Sequence, residues 1–281
     1  MTTSRRILIG VAVGVVLAVV AIMLLIPHDE SVERVTVQGP TADAAVSVRL
    51  SIDNVDANRG VMTGRLRVAP GPDIPATGAT LVTNLDGVAA VRVRPGDAAV
   101  NQLVTLDFTS GSIANYPFDQ YATPVRVRVV EGADAPLADA GTAAALPVKL
   151  TAVAAPGLFE FDADVTRPTD ALLVDISLQR TRSAFGWAVA MMGLYWLLAA
   201  AAIGVTLAVV LGDRPWETRH LAWLGAMVFA LAAFRNVAPG QPPIGVFFDR
   251  ASFFWAIAIV TFSLVALVVH YLSRTREDLE L

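Results

Sequence analysis

Two periodicities divide the chain. From Glu33 to Arg182, apolar and polar residues tend to alternate with period two. Val46, Val48, Leu50 and Ile52 alternate with Ser47, Arg49, Ser51 and Asp53. Leu66 and Val68 alternate with Arg65 and Arg67, and Val91 and Val93 with Arg92 and Arg94. Val125, Val127 and Val129 bracket Arg126 and Arg128, while Leu172, Val174, Ile176 and Leu178 bracket Leu173, Asp175 and Ser177. Successive side chains on a strand point to opposite faces, so each run predicts a strand with one buried face. Turn formers separate the runs: Asp56–Gly60, Pro70–Asp73, Leu85–Gly87, Pro95–Asp97 and Ala155–Gly157. Strands this closely spaced, with no helical period between them, predict an antiparallel β-sandwich. The Ala-rich stretch 133–145 reads as a long loop.

Outside this region the pattern is continuous apolar runs. Ile7–Ile26 is one, and Trp187–Leu211, Leu221–Phe234 and Ala251–Leu272 are three more. Runs near or above about 18 residues with few charges read as membrane helices. The first run follows Arg5-Arg6 and ends at Pro27-His28-Asp29-Glu30 without a small-residue cleavage pattern. That favours an uncleaved anchor over a signal peptide. The fold expected is therefore membrane α + β, an extracytoplasmic antiparallel β-sandwich with a four-helix transmembrane bundle. Residues 1–27 form the N-terminal transmembrane anchor, 28–183 the sandwich, 184–273 a three-helix transmembrane domain and 274–281 a cytoplasmic tail. Arg5, Arg6, Arg214, Arg219, Arg274 and Arg276 would face the cytoplasm, with both termini. Residues 28–186 would then be extracytoplasmic, in a multi-pass protein of a bacterial cytoplasmic membrane. Arg180 and Arg182 oppose the rule, but a long domain translocates despite its charges.

Composition agrees with the membrane class: of 281 residues 55% are hydrophobic, and mean hydropathy is +0.58. There is no cysteine, which excludes disulfides, thiolate catalysis and cysteine zinc sites. Net charge is -4, nearly every cation is Arg, with Lys149 the single lysine, and no basic stretch suggests nucleic acid. His28, His220 and His270 stand far apart, and no G-x-S-x-G, H-E-x-x-H or P-loop occurs. The expectation is a protein that is not an enzyme, with no cofactor and no metal. Asp53, Asn54, Asp56, Asn58 and Gly60 resemble a calcium loop, but Arg59 falls where glycine is required, so a hairpin turn is expected. Asp162 and Asp164 share one strand face, which is weak evidence for a cation site.

Three segments stand out as candidate sites. Tyr116, Pro117, Phe118, Asp119 and Tyr121 form an aromatic turn between two strand patterns. Exposed apolar clusters mark contacts, so this turn is expected to couple the outer domain to the membrane block near Pro239–Gly245, with Phe118 as its anchor. Arg235 ends the Leu221–Phe234 run, and charges at membrane depth pair or face a polar cavity; Asp249 is its expected partner. Pro239, Pro242 and Pro243 between them predict a stiff outer loop. The partners expected are the lipid bilayer and either other envelope proteins or a second copy of the chain.

The pattern Phe234-Arg235-Asn236-Val237-Ala238-Pro239-Gly240-Gln241-Pro242-Pro243-Ile244-Gly245, with Phe253-Phe254-Trp255 and one helix before the sandwich and three after it, resembles a known family. This is the actinobacterial and fungal membrane family catalogued as domain of unknown function 4436. The resemblance would cover nearly the whole chain; it implies a multi-pass membrane protein and supplies no catalytic residues. Separately, Tyr116-Pro117-Phe118-Asp119 is similar to the signature loop of pentameric ligand-gated ion channels, which also place a β-sandwich before membrane helices. Two features depart from those channels: three helices rather than four follow the sandwich, and Leu221–Phe234 carries no Ser or Thr to wet a pore. The leading expectation is a non-enzymatic envelope protein whose outer β domain binds or scaffolds a partner. The alternative is a ligand-gated, channel-like oligomer.

Overall fold

The computed structural model describes residues 44–88, 90–132, 145–154, 157–166, 172–212 and 217–277. Their contacts divide them into a β unit, drawn from 29–113 and 118–181, and a helical unit, drawn from 114–117 and 182–281.

The β unit holds nine strands: β1 (Val46–Asp56), β2 (Val61–Pro70), β3 (Ala79–Thr83), β4 (Ala90–Val93), β5 (Val100–Asp107), β6 (Gln120–Glu131), β7 (Val148–Ala154), β8 (Phe159–Thr166) and β9 (Leu172–Arg180). They form two sheets, β5-β2-β1-β7 and β4-β3-β6-β9-β8. The alternation explains the layering. Val48, Leu50, Leu66 and Leu150 of the first sheet share one buried cluster with Leu81, Val127, Val174 and Ile176 of the second. Their polar neighbours face outward, as period two requires.

The expectation of a wholly antiparallel sandwich fails at one seam. β1 and β7 pair in parallel, from Val46 opposite Val148 to Ile52 opposite Ala154. β7 returns from β6 of the other sheet and enters beside the start of β1, where Ala45 N–H donates to the Pro147 carbonyl at 2.9 Å. Alternation reports which face of a strand is buried and carries no information about its direction. The β1–β2 register also shifts between Ile52 and Asn54, a bulge. Gly64 lies there, and a Cβ on it would sit 2.2 Å from the Ser51 carbonyl oxygen, so only glycine lets the two strands close. The supposed calcium loop is the β1–β2 hairpin turn. Asp56 Oδ1 accepts Arg59 N–H at 3.1 Å, and Gly60 takes the left-handed φ of +74.

The helical unit contains α1 (Arg182–Val210), α2 (Thr218–Arg235), a π-helical turn (Asp249–Phe253) and α3 (Phe254–Glu277). Two helical spans, Arg182–Val210 and Asp249–Ser273, are long and apolar enough to cross a membrane. The expected span Leu221–Phe234 is not among them. It forms the core of α2, whose 18 residues also include Arg219, His220 and Arg235. The expected four-helix bundle is therefore reduced to three helices among the described residues, and the expected anchor 1–27 lies outside them. The same holds for the stretch 133–144 and for Arg214.

Each helix buries a narrow stripe. On α1 it is Ala184, Ala188, Met191, Tyr195, Ala199, Ala202, Thr206 and Val209; on α2 it is Leu224, Met227, Leu231 and Arg235; on α3 it includes Ala256, Val260, Ser263 and Leu267. Steps of three and four keep a stripe on one helix face. The small residues on α1 allow close helix approach. The opposite faces are apolar as well: Phe229 is 79% exposed and Phe262 74%.

Candidate functional site

The connection from β5 to β6 is pinned at its base. Ser110 and Ala122 exchange backbone hydrogen bonds at 3.2 Å, and Thr109 donates both its N–H and its hydroxyl to the Ala122 carbonyl at 2.9 Å. Gly111 follows at φ +106, and a Cβ there would lie 2.1 Å from the Gln120 carbonyl oxygen. Between these ends runs a short 3-10 helix, Ile113–Asn115, and then the aromatic turn, with a cis bond between Tyr116 and Pro117.

Tyr116 belongs to the helical unit. It is fully buried, its ring standing edge-on to Phe248 at 5.7 Å, and its carbonyl accepts the Phe248 N–H at 3.1 Å. Phe248 in turn meets Tyr195 of α1 at 5.7 Å, and Tyr195 meets Phe253 of the π-turn at 5.8 Å. Edge-to-face pairs at this separation are favourable beyond the area they bury. Trp196 of α1 donates its indole N–H to the Ala251 carbonyl at 3.1 Å, and Ser252 donates its hydroxyl to the Phe248 carbonyl at 2.7 Å.

Asp119 and Tyr121 belong to the β unit. Arg180, the last residue of β9, donates from Nε to both Asp119 oxygens (3.0 and 3.1 Å) and from Nη2 to Oδ2 (2.8 Å). The two side chains are 3% and 0% exposed. Tyr121 donates its hydroxyl to Asp119 Oδ2 at 2.8 Å, and the guanidinium lies 4.5 Å over the Phe159 ring. Burial holds the Tyr121 phenol above its ordinary pKa, and the bond to the Asp119 carboxylate raises it further. Phe108 and Phe159 flank the Tyr121 ring at 4.6 and 5.9 Å. Phe118, expected as the anchor of the turn, is 55% exposed; Tyr116 and Tyr121 are the aromatics that are buried instead.

A second bidentate pair lies within the helical unit. Arg235, at the C-terminal end of α2, donates from Nε to Asp249 Oδ1 at 3.0 Å and from Nη2 to Oδ2 at 2.9 Å. Nη2 also reaches the Pro242 and Pro243 carbonyls at 2.8 and 2.9 Å, and Gly245 N–H donates to Asp249 Oδ2 at 2.8 Å. The pair therefore gathers the loop between α2 and the π-turn, with Pro242 buried, Pro239 half-buried and Pro243 exposed. A guanidinium fork matches a carboxylate in this geometry and leaves the second Nη2 N–H for the two loop carbonyls. The position at a helix C-terminus is also favourable for a cation.

Sequence reasoning singled out Arg235 and Asp249 together. It missed Arg180 as the partner of Asp119, and it missed Phe248, Tyr195 and Phe159. The signal for Arg180 was present: β9 buries Leu172, Val174, Ile176 and Leu178, and Arg180 continues that inward register. Chemically, both arrangements are closed. Each charge is neutralised by its partner, and the geometry is that of a structural tie.

The family model described as Domain of unknown function (DUF4436) matches residues 35–179, and one described as Domain of unknown function (DUF8686) matches residues 180–274. No curated protein matches the chain. The residues thought to carry the first resemblance, 234–245 and 253–255, thus fall under the second description, and neither description mentions an ion channel. The alternating strands, not the proline loop, are the matched region, and with about half of its length under that description the chain belongs to the DUF4436 family.

Proposed function

We propose that this chain is a non-enzymatic, multi-pass envelope protein that sits in a bacterial cytoplasmic membrane and binds or scaffolds a partner through its β-sandwich. The observation that carries the reading is the double apolar character of α1 and α3. Both bury a stripe and still present Trp196, Leu207, Phe262 and Val269 outward. In water such surfaces cost free energy and cause association, whereas hydrocarbon leaves them satisfied. Within this reading, Tyr116–Asp119 is the coupling element. The chain enters the helical unit at Ala114 and leaves it after Pro117, so a residue anchored among helices stands three positions from one anchored in the sandwich. The channel-like alternative has less support, because Leu221–Phe234 of α2 offers no hydroxyl side chain to hold water.

The topology gives the test. With α2 taken as a third, shorter crossing between α1 and α3, reporter fusions after residues 150 and 281 are expected on opposite sides of the membrane, with 150 outside. A fusion at 281 that reports from the outer side contradicts the arrangement.

A further inference from the structure

The sequence disperses its charges, but the fold collects them. On the outward face of the first sheet, Arg49 of β1 stands directly opposite Arg67 of β2, and Lys149 of β7 lies opposite Ser47, one outward position along. At the β8–β9 edge of the second sheet's outward face, Asp164 of β8 stands directly opposite Asp175 of β9, with Asp162 the next outward residue, while Arg126 of β6 and Arg92 of β4 lie further across that face. Arg49, Arg67 and all three aspartates are exposed. Like charges in directly opposed positions destabilise a sheet. Among the described residues none of these five has an ion-pair partner, whereas nearby Arg65 is held by Asp53 at 2.8 Å. The sandwich therefore keeps two unfavourable pairs, of opposite sign, on its two outer faces.

We propose that the two faces form one interface. The cationic face of the first sheet in one copy docks on the acidic β8–β9 edge of the second sheet in another. The inference rests on the reading that the sandwich binds a partner, and it names that partner as a second copy of the chain. A separate anionic or cationic protein would neutralise one face and leave the other repelling itself. A second copy resolves both with the same contact. The contact is head-to-tail, so each copy keeps one face of each sign for a further neighbour.

The experiment uses the full chain in detergent micelles, with mass followed by light scattering after size exclusion. Self-association should weaken by at least about tenfold between roughly 50 and 500 mM salt, since exposed charges are screened over that range. Arg49→Glu with Arg67→Glu should give a monomer, as should Asp164→Arg with Asp175→Arg. Mixing the two reversed proteins should restore association, because each then meets the opposite charge on both faces. The substituted positions are exposed, and the salt series on the unaltered chain needs no variant. Reversed proteins that associate like the parent overturn the proposal, as does a parent that is monomeric at every salt concentration. A monomeric parent that instead binds anionic vesicles through Arg49 and Arg67 also overturns it. A parent that stays monomeric yet crosslinks to a different protein through its sandwich overturns self-docking and leaves the partner-binding reading standing.

Discussion

Arg180→Ala or Asp119→Ala should each destabilise the β-sandwich by about 3–5 kcal/mol, because each strands a buried charge. For a domain of this size that corresponds to a fall in melting temperature of roughly 6–20 °C. The size follows from the burial: side chains 3% and 0% exposed cannot recover water when the partner is lost. The effect should exceed that of removing an exposed pair such as Arg65–Asp53, where solvent screens the interaction. Arg180→Lys should not rescue, since an ammonium cannot reproduce Nε and Nη2 donating to the same carboxylate or the stacking over Phe159. The double replacement Arg180→Ala with Asp119→Ala should cost clearly less than the sum of the two single changes, since it leaves no charge unpaired. Thermal melts of the four proteins form the cycle; additive losses would mean that the two side chains do not act as a pair.

In the helical unit, Arg235→Ala should be the most damaging single change, again by about 3–5 kcal/mol. It removes the partner of Asp249 and at the same time the donor to the Pro242 and Pro243 carbonyls. Asp249→Asn should cost less, because an amide oxygen still accepts from Gly245 N–H and from the guanidinium, though without charge. The ordering Arg235→Ala, then Asp249→Ala, then Asp249→Asn is what denaturant titration of the detergent-solubilised chain should show. Equal and small losses for all three would indicate that the arginine is held by solvent or headgroups and not by its carboxylate.

These two pairs also mark where the sequence was readable and where it was not. The period-two runs gave most strands and their buried faces, because burial on one side of a sheet is written directly into alternation. Strand direction is not written there, and the parallel β1–β7 seam had no signal in Val46–Ile52 or Val148–Ala154. A charged residue in the inward register was legible in principle. Arg180 follows Leu178 by two, and Arg235 follows Leu231 by four on the buried stripe of α2. The second was read as a charge needing a partner, and the nearest acid after the proline loop was the right one. The first was read as a flanking charge of the next helix, so its partner 61 residues away was missed. Phe248 was hidden for a different reason. In an apolar stretch rich in phenylalanine, nothing local separates the ring that packs on Tyr116 from rings that face outward, such as Phe247 and Phe254. The third apolar run is shorter and more polar than the other two, since the apolar stretch of α2 is bounded by His220 and Arg235.

We propose that the turn from Tyr116 to Asp119 couples the sandwich to the helices. Hydrogen exchange at the Phe248 amide in the full-length chain tests it most directly, because that N–H is donated to the Tyr116 carbonyl. Loosening the sandwich end of the turn with Asp119→Asn should speed Phe248 exchange by at least about tenfold. Amides deep in α3, near Val260, should keep their protection. If Asp119→Asn loosens the amides of β6 and β9 while Phe248 exchanges at its original rate, the turn does not couple the two units and the account is wrong.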